Sequence, residues 1–595
     1  MVGLSDVKRW NTGQLDAIFK TVQQRLQVLT HSGDDFGKVI PVADWSGPAA
    51  DNARSAHSNL MFRIDKMAAG ASIVGKAIGQ AADAITGVQQ AIAGAEELAR
   101  KYGYQIADNG TVADLYPEGQ APPELHPEDR ARAKTEVSDA ITQALRTADD
   151  IDRDLASVLQ RAQQGEFGTG NEGTVTAAAA DGSLDPGLTL LEPPKDGSPS
   201  QNAGWWSSLS PAGQAILLRD HPDWLGNLDG LPGGVRSQAN IARMPAERAS
   251  LQHQLDEAKS YVDQVKDMAW PPPGMLSDAL AKEDAITAKL KSLDAIDATI
   301  AKGERQLLTL DTSGERVKAA VAVGNVDTAE HVAVFTPGFT STVDGSLKGY
   351  DNDMQNLLTQ SQGISNVYGN HGGVAAVTWI GYEAPQTADV LNPDKSVGSD
   401  DLAKIGAHKL DGFLNGLGAS HDIHDQPLHL TALGHSYGSL TTGIALQQPT
   451  PVHDAVVFGS PGLDMQTPND LKVPQGHMFS EWSDRDPVPR LDIAHNFGTS
   501  PYQGISGGSV ASIEQLSTGD ATGANGQPLH ATHEHGQYLD NNSTSQYNMA
   551  SVVAGRPDLT VHYTQPWDVP AAPPAPGEPV PAPPGTDPTP PPRPR

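Results

Sequence analysis

The sequence predicts an α/β domain with a mostly parallel sheet, preceded by an all-α helical bundle. Three observations support this prediction. Apolar residues have helical spacing over the first 164 positions, glycine and proline are distributed unevenly, and short apolar runs alternate with helix-length segments in the second half. At 595 residues, the chain is long enough for several domains.

Composition excludes several classes of function. The chain has 41 Lys and Arg against 72 Asp and Glu, a formal net charge of −31, so we do not expect nucleic acid to bind a general basic face. Cysteine is absent, which excludes disulfides, thiolate zinc sites and a cysteine nucleophile. No stretch approaches the roughly 18 apolar residues of a membrane span, so we expect no transmembrane segment.

Residues 1–164 have the spacing of a helical bundle. Apolar residues in steps of three and four run through 60–92 and again through 137–158, which gives each predicted helix an apolar seam. One helix cannot bury such a seam alone, so we expect the helices to pack on each other. Between them, an Asn109-Gly110 turn predicts a small β-hairpin.

Composition also separates two segments from the packed regions. Residues 165–204 are rich in Gly, Pro and small residues without periodicity and predict a flexible linker. Residues 564–595 form a proline-rich tail, which we expect to be disordered. The α/β domain would then occupy 205–563, with a helical insertion at 246–303 that we expect to extend the core rather than cover a site as a lid.

Near residue 305, the sequence pattern of the α/β domain changes from helical spacing to the short apolar runs of strands. A hairpin that turns at Ser313-Gly314 is followed by five apolar runs, HVAVFTPGF, GVAAVTWIGY, LHLTALGHS, DAVVFGSPGL and HMFSEWSD. Buried strands that alternate with helices are typical of a parallel sheet covered on both faces. The leading hairpin would provide an antiparallel edge.

One motif predicts a nucleophilic serine. The pentapeptide GHSYG, centred on Ser436, lies between an apolar strand and a helical segment. In this strand–turn–helix setting, a strained turn exposes the serine hydroxyl above the sheet. A second G-x-S-x-G match, centred on Ser506, has no strand before it and predicts a loop, so we favour Ser436.

A nucleophilic serine needs a base that a carboxylate orients, and in this arrangement the chain order is serine, acid, histidine. The acid is expected in the loop after a later strand. Asp484 and Asp486 follow one such strand, and Asp464 ends the preceding one. We favour Asp486 and leave Asp484 and Asp464 as alternatives.

Histidines follow where the base is expected. His530, His533 and His535 are closely spaced, and His562 lies beyond them. We favour His535, which directly precedes a helical-looking segment, with His533 as the second choice. Three close histidines could instead bind a metal ion, but the base is expected at this point of the chain, so we expect no metal and no cofactor.

An oxyanion hole needs two backbone N–H donors that point at the developing negative charge. The residue after the nucleophile, Tyr437, would supply one. The loop after the first parallel strand, Thr336-Pro-Gly-Phe-Thr340, would supply the other from Phe339 or Thr340, and its glycine allows a close approach.

The stretch from about residue 204 to 555 resembles an actinobacterial α/β-hydrolase family of unknown function, whose members are presumed serine hydrolases. The resemblance rests on the Trp205-Trp206 to Asn227-Leu-Asp229-Gly region, the Pro337-Gly338-Phe339 turn, and GHSYG with the later Asp486 and His535. The Asp-Pro-Val-Pro that begins at Asp486 also resembles the usual acid turn of this superfamily. The resemblance implies a Ser-His-Asp triad and leaves the substrate open.

Residues 1–164 resemble the WxG helical-hairpin proteins of type VII secretion. Trp45-Ser46-Gly47 lies between two predicted helices, and Tyr104-Gln-Ile-Ala-Asp108 fits the Tyr-x-x-x-Asp/Glu pattern that follows the second helix in proteins of that system. The resemblance implies export by a type VII-like route. The N-terminus lacks the apolar core of a classical signal peptide. A cytoplasmic location is the alternative.

These patterns together predict a serine hydrolase that cleaves small-molecule or lipid esters, or other acyl bonds, through an acyl-enzyme. The alternative is a non-catalytic interaction protein or a type VII secretion substrate. Its helical bundle, residues 1–164, would then bind a helical partner or a second copy of the chain.

Overall fold

The computed structural model describes residues 2–39, 48–116, 120–122, 125–164, 193–194, 196–207, 209, 211–390, 392–424, 426–490, 497–502 and 513–563. Four features of the sequence lie outside these residues: the Trp45-Ser46-Gly47 motif, most of the predicted linker, the second serine motif around Ser506, and the tail at 564–595. The structure therefore does not bear on them.

The N-terminal region is helical, as predicted. It comprises α1 (Leu4–Arg9), α2 (Thr12–Val39), α3 (Pro48–Lys101), the hairpin strands β1 (Tyr104–Ile106) and β2 (Val112–Asp114), and α4 (Pro127–Gln164). Helix α2 packs on α3 and α3 on α4, and the predicted hairpin is confirmed, with Gly110 in its turn at φ +84°. The α3 seam is buried at Ile78, Ile85 and Ile92, whereas Leu60 and Met67 are exposed. The first half of the seam is therefore only partly covered.

The predicted linker contains the start of a helix, α5 (Pro199–Ser207). The Ser198 side chain accepts a backbone N–H of its first turn, and Pro199 occupies the first helical position. Both Trp205 and Trp206 are buried and anchor the helix. Its stability therefore comes from packing and capping, which the composition of the segment did not indicate.

A helical hairpin precedes the sheet. Two short helices, α6 (Pro211–Asp220) and α7 (Pro222–Leu225), lead into α8 (Gly233–Lys266) and α9 (Met275–Ile300). Helix α8 begins well before the predicted residue 246. The reason is that the Asp327 carboxylate accepts the N–H groups of Gly233 and Gly234, at 2.5 and 2.7 Å, and so caps an earlier start.

The α/β domain is built on an eight-stranded sheet. Its strands are β3 (Arg305–Asp311), β4 (Lys318–Val323), β5 (His331–Thr336), β6 (Val374–Ile380), β7 (His429–His435), β8 (Val452–Phe458), β9 (Met478–Glu481) and β10 (Ile513–Leu516). In the order β10-β9-β8-β7-β5-β6-β4-β3, neighbours from β10 to β6 are parallel. The β3–β4 hairpin forms an antiparallel edge, as predicted. A small separate pair consists of β11 (Ala521–Thr522) and β12 (Pro528–Leu529).

Helices cover both faces of the sheet, which explains why its central strands are mostly apolar. These helices are α10 (Val343–Tyr368), α11 (Asp401–Ile423), α12 (Tyr437–Ala445) and α13 (Thr544–Val553). Helices α11 and α12 share one apolar cluster with the strands, and α10 and α13 share the other. The α8–α9 hairpin packs on β3 and β4 through residues such as Leu251 and Leu293, so it extends the core at that edge. Within the described ranges, no helix combines the length and apolarity that a membrane span requires.

Candidate active site

The elbow serine lies where β7 turns directly into α12. Ser436 has φ 54° and ψ −132°, a strained conformation typical of a nucleophile elbow. Two glycines make the turn possible. A Cβ on Gly438 would lie 2.2 Å from the Thr336 carbonyl oxygen, and one on Gly434 would lie 2.8 Å from the Ser439 Cα. GHSYG therefore lies in the strand–turn–helix setting that its pattern predicted, and the role of Ser436 as a nucleophile stays a prediction.

The carboxylate of Asp486, in the loop after β9, pairs with the imidazole of His535. His535 Nδ1 lies 2.9 Å from both carboxylate oxygens, and the Tyr538 hydroxyl and the Val488 N–H donate to the same group at 2.7 and 2.9 Å. Burial acts to raise the pKa of Asp486, but the hydrogen bonds, led by that from His535, hold this pKa below its usual value. The carboxylate is thus kept ionised and orients the imidazole.

The alternatives Asp484 and His533 form a second pair on the surface. His533 Nδ1 is 2.9 Å from Asp484 Oδ1, and the two side chains are 45% and 64% exposed. The hydrogen bond from His533 lowers the pKa of Asp484. Asp464 has no histidine partner within the described part of the chain, and burial, with Asp400 nearby, raises its pKa. Of the three acids, only Asp486 is a buried acid paired with histidine.

The remaining histidines of the cluster lie apart from this pair. His530 Nε2 is 2.9 Å from the Asn541 carbonyl oxygen, and His562 contacts the Glu514 carboxylate. Among the residues that the structure describes, no three histidine or acidic side chains converge as metal ligands would. The interpretation of the cluster as a metal site therefore finds no ligand set there.

Gly459, at the end of β8, brings the acid–histidine pair close to the elbow. The Ser436 N–H donates to the Phe458 carbonyl at 3.1 Å. A Cβ on the next residue, Gly459, would lie 2.8 Å from Asp486 Oδ2 and 3.0 Å from His535 Cε1. In the described residues no hydrogen bond joins the Ser436 hydroxyl to His535, a contact that in many enzymes tightens only when substrate binds.

The structure adds a residue that the sequence analysis did not assign, His435. Its Nε2 is 2.9 Å from the His535 carbonyl oxygen, and the two rings are 4.6 Å apart. Burial and the neighbouring His535 lower the pKa of His435 to about 3, so its ring is neutral and Nε2–H donates to that carbonyl. His435 thus positions the backbone of His535. Only its place inside GHSYG could have indicated this role.

The turn after β5 is predicted to supply one of two oxyanion donors. A Cβ on Gly338 would lie 2.6 Å from the Tyr437 nitrogen, so this turn lies directly beside the elbow. The Thr340 N–H already donates to the Pro385 carbonyl at 2.9 Å, which removes Thr340 as a donor and corrects that expectation. The Phe339 and Tyr437 N–H groups have no acceptor among the described residues, which leaves them available.

Comparison with known proteins gives independent information. A family model described as alpha/beta hydrolase matches residues 312–495, which include Ser436 and Asp486 and end before His535. The uncharacterized protein Rv2079 of Mycobacterium tuberculosis is 29% identical over 397 residues, which is 62% of this chain and 57% of that protein. The uncharacterized proteins Rv0963c of Mycobacterium tuberculosis and Mb0988c of Mycobacterium bovis are each 39% identical over 198 residues, 32% of this chain and 71% of theirs. The chain thus matches little more than half the length of Rv2079.

Proposed function

Because the chain belongs to the alpha/beta hydrolase family, we propose that it is a serine hydrolase, which cleaves ester or other acyl bonds through Ser436, His535 and Asp486. The observation that carries this proposal is the buried, multiply hydrogen-bonded Asp486 carboxylate, which pairs with His535 beside a serine in a strained turn. Buried carboxylates are costly unless they are well paired. This one is paired with the group that a serine nucleophile needs.

The proposed reaction follows from these positions. The Ser436 hydroxyl attacks the acyl carbonyl, and His535 Nε2 takes its proton while Asp486 stabilises the imidazolium. The N–H groups of Tyr437 and Phe339 stabilise the tetrahedral oxyanion. His535 then returns the proton to the leaving alcohol, and water hydrolyses the acyl-enzyme by the same steps.

The two acid–histidine pairs provide a matched test of this proposal. We expect Asp486→Asn to lower kcat/KM for p-nitrophenyl acyl esters by about 10³-fold or more, because the amide would stabilise neither the required tautomer nor the imidazolium. Asp484→Asn changes the same atoms two residues away on the surface and should keep activity within about twofold of wild type. Steady-state rates with several acyl chain lengths, alongside thermal melts, measure both.

If Asp484→Asn lost activity and Asp486→Asn kept it, the proposed acid would be Asp484, in the surface pair. Equal loss in both variants with unchanged melting temperatures would contradict the assignment of Asp486. Wild-type protein that hydrolyses none of the esters would instead count against hydrolysis and favour the interaction-protein alternative.

A further inference from the structure

The tip of the α8–α9 hairpin is apolar and unusually exposed. The ten residues from Met268 to Ser277, MAWPPPGMLS, contain no charged side chain. Trp270 is 93% exposed, the most of any large apolar side chain in the described residues, and Met268 is 42% exposed. Single exposed apolar residues are ordinary. An almost fully exposed tryptophan beside an exposed methionine and three exposed prolines, in a stretch without charge, goes beyond such a single residue and needs a physical reason.

The sequence of the tip restricts its backbone. Three prolines, Pro271 to Pro273, fix φ along the loop, and Gly274, at φ +87°, is the N-cap residue that precedes α9. Below the tip, buried Val262 and Ile286 belong to the apolar side of the packed hairpin. A segment whose backbone is restricted beforehand loses less conformational entropy when it binds.

The hairpin points to the same side of the sheet as the candidate active site. Helix α8 runs along β3 in the same direction, because Asn240 donates to the Leu307 carbonyl at 3.0 Å and Glu247 accepts from the Thr312 hydroxyl at 2.6 Å. The remaining residues of α8, 248–266, extend about 28 Å further at 1.5 Å per residue.

Strand β3 runs in the same direction as β5 and β7, the strands that lead into the candidate active site. It is antiparallel to β4, β4 is antiparallel to β6, and β6, β5 and β7 are parallel to each other. The carboxyl end of β3 and the elbow at the carboxyl end of β7 therefore lie at the same end of the strands. Trp270 projects beyond this end.

We propose that this tip, residues 268–277, inserts into a zwitterionic lipid surface. Insertion would turn the end of the sheet that carries the candidate active site towards esters in that surface. Tryptophan is enriched where apolar and aqueous phases meet. The flanking Lys266, Asp267 and Asp278 confine insertion to the tip itself. The binding step stands on the hairpin alone, and the presentation of esters rests on the proposed function.

Size and charge favour a zwitterionic lipid surface over other occupants. The tip has ten residues, against the roughly 20–30 per partner of a stable protein interface. It also carries no charged side chain that would select a particular protein. The net charge of −31 would repel anionic headgroups, which leaves a zwitterionic surface as the match.

Flotation of the full-length chain with phosphatidylcholine vesicles tests this proposal. We expect wild type to float with the vesicles and Trp270→Ala to partition at least about tenfold more weakly, because insertion buries one large apolar side chain. Val367→Ala is the matched control. It removes a side chain that is 70% exposed near the end of α10, away from the tip, and should float like wild type. Both changes lie at exposed positions, and circular dichroism checks that each variant is folded.

Two results would overturn the proposal: wild type that stays unbound, or Trp270→Ala that floats equally well. A third result would also overturn it: a change of oligomeric state in Trp270→Ala, measured by light scattering, would make the tip a contact between copies of the chain. Flotation is also measured with Ser436→Ala, which has lost the proposed nucleophile. Vesicle binding that depends on Trp270 would support the lipid surface even if no ester were hydrolysed, so the two proposals fail separately.

Discussion

Replacing Ser436 with alanine is expected to abolish ester turnover, with kcat/KM falling by at least about 10³-fold. The serine oxygen is the atom that forms the acyl-enzyme, and no other group at the elbow can replace it. The variant should remain folded. Alanine keeps the Cβ that the turn already accommodates at φ 54°, and only the hydroxyl is lost. Initial rates with p-nitrophenyl esters, together with thermal melts, measure the effect.

The sequence provides a control for this substitution. Ser506 is the centre of the second G-x-S-x-G match, so Ser506→Ala makes the same chemical change in the same local pattern. It should leave turnover unchanged, since we expect no strand before it to form an elbow. Loss of activity in Ser506→Ala with full activity in Ser436→Ala would reverse the assignment.

Replacing His535 with alanine is expected to lower kcat/KM by a similar factor, at least about 10³-fold. Without the imidazole, the Ser436 proton has no acceptor and the buried Asp486 carboxylate loses a hydrogen-bond partner. Burial should then raise the pKa of Asp486, since the bond from His535 is the strongest influence that lowers it. Activity assays detect the first effect, and carboxyl titration by nuclear magnetic resonance detects the second.

His533 is the matched control for His535. It lies two residues away and has its own aspartate partner at the same 2.9 Å, but this pair is exposed. His533→Ala should therefore keep near wild-type rates, because an exposed ion pair contributes little. If His533→Ala is inactive and His535→Ala is active, the surface pair is the catalytic one.

The sequence predicted the sheet and the elbow because both depend on local pattern. The runs around β5 to β9 are mostly apolar rather than alternating, which is typical of strands buried on two faces, and the antiparallel β3–β4 edge follows from its turn. The elbow needs Gly434 and Gly438 beside the serine, and both are visible in the motif. Such features can be read without knowledge of distant contacts.

Features that depend on distant contacts could not be read in this way. Asp484 and Asp486 lie in one loop, but Asp486 is buried and accepts from the distant Tyr538 hydroxyl, whereas Asp484 is exposed. The Thr340 N–H donates to Pro385, which is 45 residues further along the chain. The same reason applies to the early start of α8, where the capping carboxylate belongs to Asp327.

The most direct test of the central claim is to find which residue a fluorophosphonate probe modifies. The full-length protein is treated with the probe, digested and sequenced by mass spectrometry. We predict one adduct, on Ser436, which is absent from the His535→Ala protein and present in the His533→Ala protein. An adduct on another serine, or none on folded wild-type protein, would contradict the claim that Ser436 is an activated nucleophile.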